Sequence, residues 1–200
     1  MKPVVTMIAG PNGSGKSTLI AHLGQAGIDF GEYLNADDIA RTLGGKPADI
    51  ASKAQAEVRA RREAALAEMR NHSFETVMSH PSHIDHLSAA KSAGFDVVLY
   101  FVATEDPGIN MGRVANRVLH GGHDVPEDRI VSRYHRSLAN LPAAIAVADA
   151  GLIFDNSRAG QPLVPLAEIR DGHIHQTFDL RRPKWWQAVR TRLSHRAGRS

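Results

Sequence analysis

Residues 10–17, GPNGSGKS, set three glycines, a lysine and two serines within eight positions. They match the pattern G-x-x-x-x-G-K-[ST] at Gly10, Gly15, Lys16 and Ser17. Phosphate binding needs this spacing. Glycines let the backbone wrap an anion and aim N–H groups at its oxygens, and the helix that follows adds its positive end. The lysine reaches the β- and γ-phosphates and the serine hydroxyl can ligate Mg²⁺. We read Gly10, Pro11, Asn12, Gly13, Ser14, Gly15, Lys16, Ser17 and Thr18 as a nucleotide-phosphate cradle, with Ser17 at the metal.

Three further groups could act on a phosphate held there. In YLNADDIA, residues 33–40, two adjacent carboxylates follow a short apolar stretch. Either can take a proton from an acceptor hydroxyl, and Asn35 or Asp37 can cap the following helix. In FETVMSH, residues 74–80, Glu75 and Thr76 fall where interior parallel strands end and ligands bind. Arg113 and Arg117 share one helix face, and Arg129, Arg133 and Arg136 follow on the next helix. Arginines over a transferring phosphoryl group stabilise its charge, and the turn HGGHDVPED between these helices can hinge. We expect Arg113 to matter less than Arg117. His80, His83 and His86 recur every three residues, and His173 and His175 alternate. Without carboxylates at ligand spacing they are expected on the surface or in loops rather than at a metal.

The elements that must position these residues alternate between strand and helix. The apolar run at residues 3–9, the brief Tyr33–Leu34 stretch, SFETVMS, FDVVLYFVA and GLIFDNS read as five strands. Helices are expected from Lys16 to Gln25, from Ala36 to a break at GGKPAD, and as one uninterrupted helix over residues 48–72. IDHLSAAKSAG follows as a short helix, and two more flank HGGHDVPED. LVPLAEIRDGHIHQTF has a hairpin pattern around Asp171-Gly172. The expected fold is α/β: a mostly parallel five-stranded sheet flanked by helices, a helical lid, and a small C-terminal hairpin with a basic helix.

Two hundred residues suit one domain with a short appendage, here residues 1–180 and a tail at 181–200. The tail holds seven Lys/Arg and no acid, so the rest of the chain carries 17 basic against 21 acidic residues. The basic balance is therefore local. Trp185 and Trp186 are expected to pack this tail on the body, although a basic aromatic segment could also touch nucleic acid. Absence of cysteine rules out a disulfide framework, a thiolate zinc site and a cysteine nucleophile. The N-terminus lacks the long apolar segment of a signal peptide, and no run approaches the roughly 18–20 apolar residues of a membrane span. A cytoplasmic location is expected.

Rival P-loop classes lack their marks. There is no N-K-x-D for guanine, LHGGHD does not match L-S-G-G-Q, and no strand is expected to end in the usual apolar run followed by Asp, since strand three ends instead in Glu75. A small ATP-dependent kinase remains, with a P-loop core, an acceptor site and an arginine-bearing lid.

Together, IAGPNGSGKSTL, YLNADDIA, FETVMSH, RVANRVLHGGHDVPEDRIVSRYHRSLANL and IFDNS resemble the zeta-toxin-like P-loop kinases. The resemblance covers roughly residues 3–157, and the chain looks in particular like the short bacterial stand-alone members often labelled predicted ABC-type ATPases. It implies phosphorylation of the 3′-hydroxyl of UDP-N-acetylglucosamine with ATP and Mg²⁺, and a small helical antitoxin that blocks the ATP site. Residue by residue, it implies Lys16 as the P-loop lysine, Ser17 as the magnesium hydroxyl, Asp37 as general base, and Glu75 with Thr76 at the acceptor. Arg117 matches the first lid arginine. The second lid position falls near His123, which leaves Arg133 and Arg136 to take its role and the acceptor open. The alternative is an ATP-hydrolysing module that switches a protein or nucleic-acid partner, and a polynucleotide kinase is a further possibility within the enzyme class.

Overall fold

The structure is a computed structural model that describes residues 2–43, 47–122, 124–178 and 183–197. In chain order the strands are β1 (Val4–Ala9), β2 (Glu32–Leu34), β3 (His72–Thr76), β4 (Asp96–Ala103), β5 (Ala150–Asp155), β6 (Val164–Arg170) and β7 (His173–Thr177). The helices are α1 (Lys16–Gln25), α2 (Ala36–Thr42), α3 (Pro47–Ala67), α4 (Ser82–Ser92), α5 (Pro107–Leu119), α6 (Glu127–Val147) and α7 (Lys184–Ala197).

All seven strands form one sheet in the order β2-β3-β1-β4-β5-β6-β7. The first five pair parallel, and β6 and β7 add antiparallel beyond β5. This corrects the expectation of a five-stranded sheet with a separate hairpin. The hairpin covers the edge of β5, whose N–H and C=O groups would otherwise be left unpaired. The chain first moves from β1 out to β2 and back to β3, then crosses β1 to β4. The strand order therefore reverses beside β1, and ligands bind at such switch points, outside the carboxyl ends of the strands.

Period-2 alternation sorts each strand between two apolar layers. Val5, Met7 and Ala9 of β1 and Val97, Leu99 and Phe101 of β4 enter a core shared with α4, α6 and α7. Ile8, Tyr100, Val102 and Phe154 point to the other face, onto Leu19 and Leu23 of α1. Trp185, Trp186 and Val189 of α7 are buried in the first core, so the tail's aromatic pair is packed against the body as expected. Its rings are not presented for stacking on bases.

The long helix ends earlier than its composition suggested. α3 stops at Ala67, Met69 takes a left-handed φ of 53°, and Arg70 N–H donates to Ala65 O at 2.9 Å. That backbone closure ends the helix. His72 then opens β3, opposite Val5 on one side and Glu32 on the other. Strand pairing overrides the helical bias of the preceding residues.

Candidate active site

The carboxyl ends of β1, β2, β3, β4 and β5 converge on residues 10–17. Gly10 N–H continues the sheet by donating to Thr76 O at 3.2 Å, and the loop then turns into α1. Gly13 and Gly15 have φ of 71° and 99°, which side-chain-bearing residues rarely adopt. A Cβ at Gly13 would lie 2.6 Å from Asn110 O, and one at Gly15 would lie 2.1 Å from Asn156 Nδ2. The cradle is thus closed from behind by two asparagines that sequence reasoning did not single out. Asn110 Nδ2 donates to Asn12 O, and Asn156 Nδ2 donates to Ser14 O at 2.8 Å. Asn110 is in turn held by the Thr104 hydroxyl, and Tyr134 donates to Thr104 O at 2.6 Å. A polar residue just beyond the end of a parallel strand, as in IFDNS, is the signal that could have found Asn156.

The same stretch corrects one sequence expectation. β5 does run apolar into an acid, Asp155. That carboxylate accepts from Trp185 Nε1 at 3.0 Å and from the Ser157 hydroxyl at 2.7 Å, so it ties α7 to the sheet.

The loop fits a phosphate chain. Ser14 Oγ and Asn12 Oδ1 are buried without partners, and the Ser17 and Thr18 side chains are exposed at the start of α1. Lys16 folds back over the cradle. Its Nζ donates to Gly10 O at 3.0 Å and Pro11 O at 3.2 Å, and lies 3.7 Å from Glu75 Oε1. Burial pushes the ammonium's pKa down, Glu75 opposes that shift, the Arg117 charge adds to it, and Asp37 raises it. Lys16 therefore senses Glu75, Arg117 and Asp37 together, although they come from three separate motifs.

β2 and β3 build the adjoining wall. Tyr33 Oη donates to Glu75 Oε2 at 3.1 Å, and Asn35 Nδ2 donates to Tyr33 Oη at 3.1 Å. Burial and the Glu75 charge push the Tyr33 hydroxyl's pKa well up. It stays a neutral donor that fixes the carboxylate. Asn35 caps α2 by accepting from Asp37 N–H at 2.8 Å. Asp37 and Asp38 then diverge around the helix: Asp38 pairs with Arg41, and the Asp37 charge acts on Lys16.

Beside Glu75 lies a cavity of about 240 Å³ lined by α3, β3, α4 and α6. Glu75, Thr76, Met78, Arg62, His83 and Arg133 are among its walls. Met78 holds a left-handed φ of 55° although it is not glycine. Its N–H donates to Thr76 Oγ1 and its O accepts from Asn140 Nδ2, each at 2.9 Å. A non-glycine in this conformation persists where surrounding bonds over-determine it, and such residues gather at functional sites.

Among the lid residues, Arg133 reaches this cavity. Arg136 is exposed and turns its Nε toward Ser132 O at 3.4 Å. Arg113 lies closer to the cradle than expected, with Nη1 3.5 Å from Gly13 O. His123 lies outside the described residues. The histidines also depart from expectation: His80 is exposed, but His83 and His86 are half-buried against Phe74, and His72 is buried at 3.2 Å from His86. Helical spacing put His83 and His86 on the inner side of α4, where Phe74 and Arg62 cover them. Among the described residues no three His, Asp or Glu side chains gather as a metal site, and no described helix is long and apolar enough to cross a membrane.

A family model described as "AAA domain" matches residues 5–141. An uncharacterized protein of Haemophilus influenzae is 30% identical over 131 residues, which are 62% of this chain and 88% of that protein. In the solved AvrRxo1-ORF1:AvrRxo1-ORF2 complex with sulphate ions, one chain superposes with a TM-score of 0.65 at 19% identity, over 90% of this chain and 62% of that one. The same complex with ATP gives 0.65 at 17% identity, over 96% of this chain and 64% of the other. This chain thus spans less than two thirds of the length of those relatives. The PezAT chromosomal toxin–antitoxin system of Streptococcus pneumoniae gives 0.57 at 13% identity, over 97% of this chain and 87% of that chain. At these identities the likeness to the solved structures is one of fold.

Proposed function

We infer the function from a premise that the match over residues 5–141 establishes: the chain belongs to the AAA-domain family of P-loop proteins, with the fold of a zeta-toxin-like P-loop kinase. We propose that it is an ATP-dependent phosphotransferase acting on a hydroxyl of a small molecule. One observation carries this reading. Lys16 of the phosphate cradle meets Glu75 at 3.7 Å, and Glu75 is also a wall of a separate cavity large enough for part of an acceptor. A donor site and an acceptor site share a border.

Bound ATP would supply the γ-phosphoryl group, and Mg²⁺ at the Ser17 hydroxyl would offset its charge. The chain's own residues do the rest. Backbone N–H groups of residues 13–17 and Lys16 hold the phosphates. Asp37 accepts the proton of the attacking hydroxyl, and Glu75, oriented by Tyr33, positions the acceptor with Thr76. Arg117 stabilises charge that develops on the transferring group, with Arg133 on the acceptor side. The acceptor we propose is nucleotide-sugar-like, UDP-N-acetylglucosamine being the leading case, and the chemistry is cytoplasmic. A small antitoxin protein is the corresponding partner, in keeping with the toxin–antitoxin system among its structural relatives.

The test is a label-transfer panel. Protein, Mg²⁺ and γ-labelled ATP are incubated with UDP-sugars, free sugars, nucleosides and oligonucleotides. Label on a UDP-sugar hydroxyl is expected. ATP turnover that ignores every small acceptor and rises only with a protein or nucleic acid would replace the kinase reading with a switch.

A further inference from the structure

Arg62 of α3 belongs to none of the motifs above, yet it lines the acceptor cavity with Arg133. Its guanidinium lies 4.7 Å from the centroid of the Phe74 ring, and its Nη1 donates to His83 Nδ1 at 3.2 Å. Its Nε is buried without any hydrogen-bond partner. No carboxylate among the described residues pairs with it. Glu63, its neighbour in sequence, bonds Arg59 instead, at 2.9 Å. His83 cannot supply the missing negative charge: an imidazole that accepts from a guanidinium is neutral, and burial with the Arg62 charge pushes its pKa down to about 4. Arg133 likewise makes no ion pair with a described residue.

Arg62 is half-buried with its Nε fully covered, and a guanidinium drawn even partly out of water ordinarily has an anionic partner, because an uncompensated charge there is costly. Here the protein supplies only an aromatic face and a neutral ring, which orient the guanidinium and leave its charge unspent. Glu75, which also lines the cavity, is already shared by Lys16 and Tyr33. Two guanidinium groups in one cavity match a dianion, and their planar forks suit phosphate oxygens.

We propose that Arg62 is a specificity-determining residue of the acceptor cavity and that Arg62 and Arg133 together bind a phosphate group carried by the acceptor. The assignment rests on the kinase reading for the cavity's role. It makes a phosphorylated hydroxyl compound the substrate and its unphosphorylated counterpart a poor one.

The test uses the whole protein loaded with Mg·AMP-PNP, so that the P-loop is filled. It is then titrated calorimetrically with inorganic phosphate, against chloride at equal ionic strength. One phosphate should bind, with affinity about tenfold or more weaker in Arg62→Gln and in Arg133→Gln, since a charged bidentate contact is lost. AMP-PNP affinity should stay the same in Arg62→Gln. A protein that binds Mg·AMP-PNP but takes no phosphate, or takes it equally well in Arg62→Gln, overturns the anion site alone. A wild-type protein that ignores Mg·AMP-PNP overturns the kinase reading and this assignment with it. Should Arg62→Gln lose AMP-PNP binding through loss of fold, Arg62→Lys decides. It keeps the charge without the fork, so weaker phosphate binding supports the assignment and undiminished binding overturns it.

Discussion

The two halves of the proposed site, donor and acceptor, are made in different ways. The donor half is backbone: residues 10–17 are contiguous, their glycine conformations leave no room for side chains, and Asn110 and Asn156 brace them from behind. The acceptor half is side chain: Arg62, Glu75, His83 and Arg133 arrive from α3, β3, α4 and α6. A backbone cradle holds any nucleoside triphosphate and tolerates little change. A side-chain cavity can be re-lined one residue at a time, which is how one fold serves many acceptors. Lys16 and Glu75 mark the border, 3.7 Å apart.

This contrast can be broken experimentally at several strengths. The largest effect belongs to Lys16→Ala, which should lower turnover by roughly 10³-fold or more by removing charge stabilisation of the phosphoryl group. Its fold should persist, because burial opposes the Lys16 charge in the free protein. Steady-state kinetics alongside circular dichroism separate the two. Full turnover in folded Lys16→Ala would dissolve the donor half.

Next comes the lid. Arg117→Ala should reduce turnover by on the order of 10²-fold. Arg113→Ala, which lies against Gly13 rather than Lys16, should mainly weaken nucleotide binding, by about tenfold. Equal small effects at Arg113, Arg117, Arg133 and Arg136 would mean a solvated basic face. Smaller again is Asn156→Ala. Loss of its bond to Ser14 O should weaken Mg·AMP-PNP binding several-fold, roughly 1 kcal/mol, while transfer from bound ATP changes little.

The last effect, on stability rather than on turnover, tests the wall behind the acceptor half. His83 and His86 have pKa values pushed down to about 4 and about 3, first by burial and then by the Arg62 charge. Their folded values lie below the unfolded value of about 6.5, so the unfolded chain binds more protons in acid. Stability should be undiminished above about pH 6.5 and fall as pH drops toward the folded values. By pH 5 the loss should be on the order of 1–2 kcal/mol per histidine. Urea melts at pH 7.5 and 5.0 measure it, and His83→Gln should flatten part of the slope. An unchanged slope would place these rings in water.

The same contrast explains what was legible in the sequence. The P-loop, the five parallel strands and the cap at Asn35 could be read because each depends on neighbours within a few positions. Period and glycine spacing encode them directly. The hairpin's attachment to β5, the early end of α3 and the role of His72 were not legible, since each is decided by pairing with a distant strand. Arg62 was hidden for the same reason. In ARREAA it looks like any solvated helix residue, and only the fold brings Phe74 and His83 against it. The buried Trp185 and Trp186 were read correctly because two tryptophans in a basic tail have little other place to go.

The border between the halves is where the central claim is most exposed. Asp37 acts on Lys16 while Asp38, one residue on and about 100° around the helix, is paired with Arg41. Phosphoryl transfer from γ-labelled ATP to the acceptor, measured beside Mg·AMP-PNP affinity in Asp37→Asn and Asp38→Asn, therefore tests it directly. We expect Asp37→Asn to keep nucleotide affinity within a few-fold and to lose transfer by about 10²-fold or more, since an amide cannot take the proton, while Asp38→Asn stays substantially active. Normal transfer in Asp37→Asn, with or without a defect in Asp38→Asn, would contradict the assignment of donor cradle and acceptor cavity to one reaction through this carboxylate.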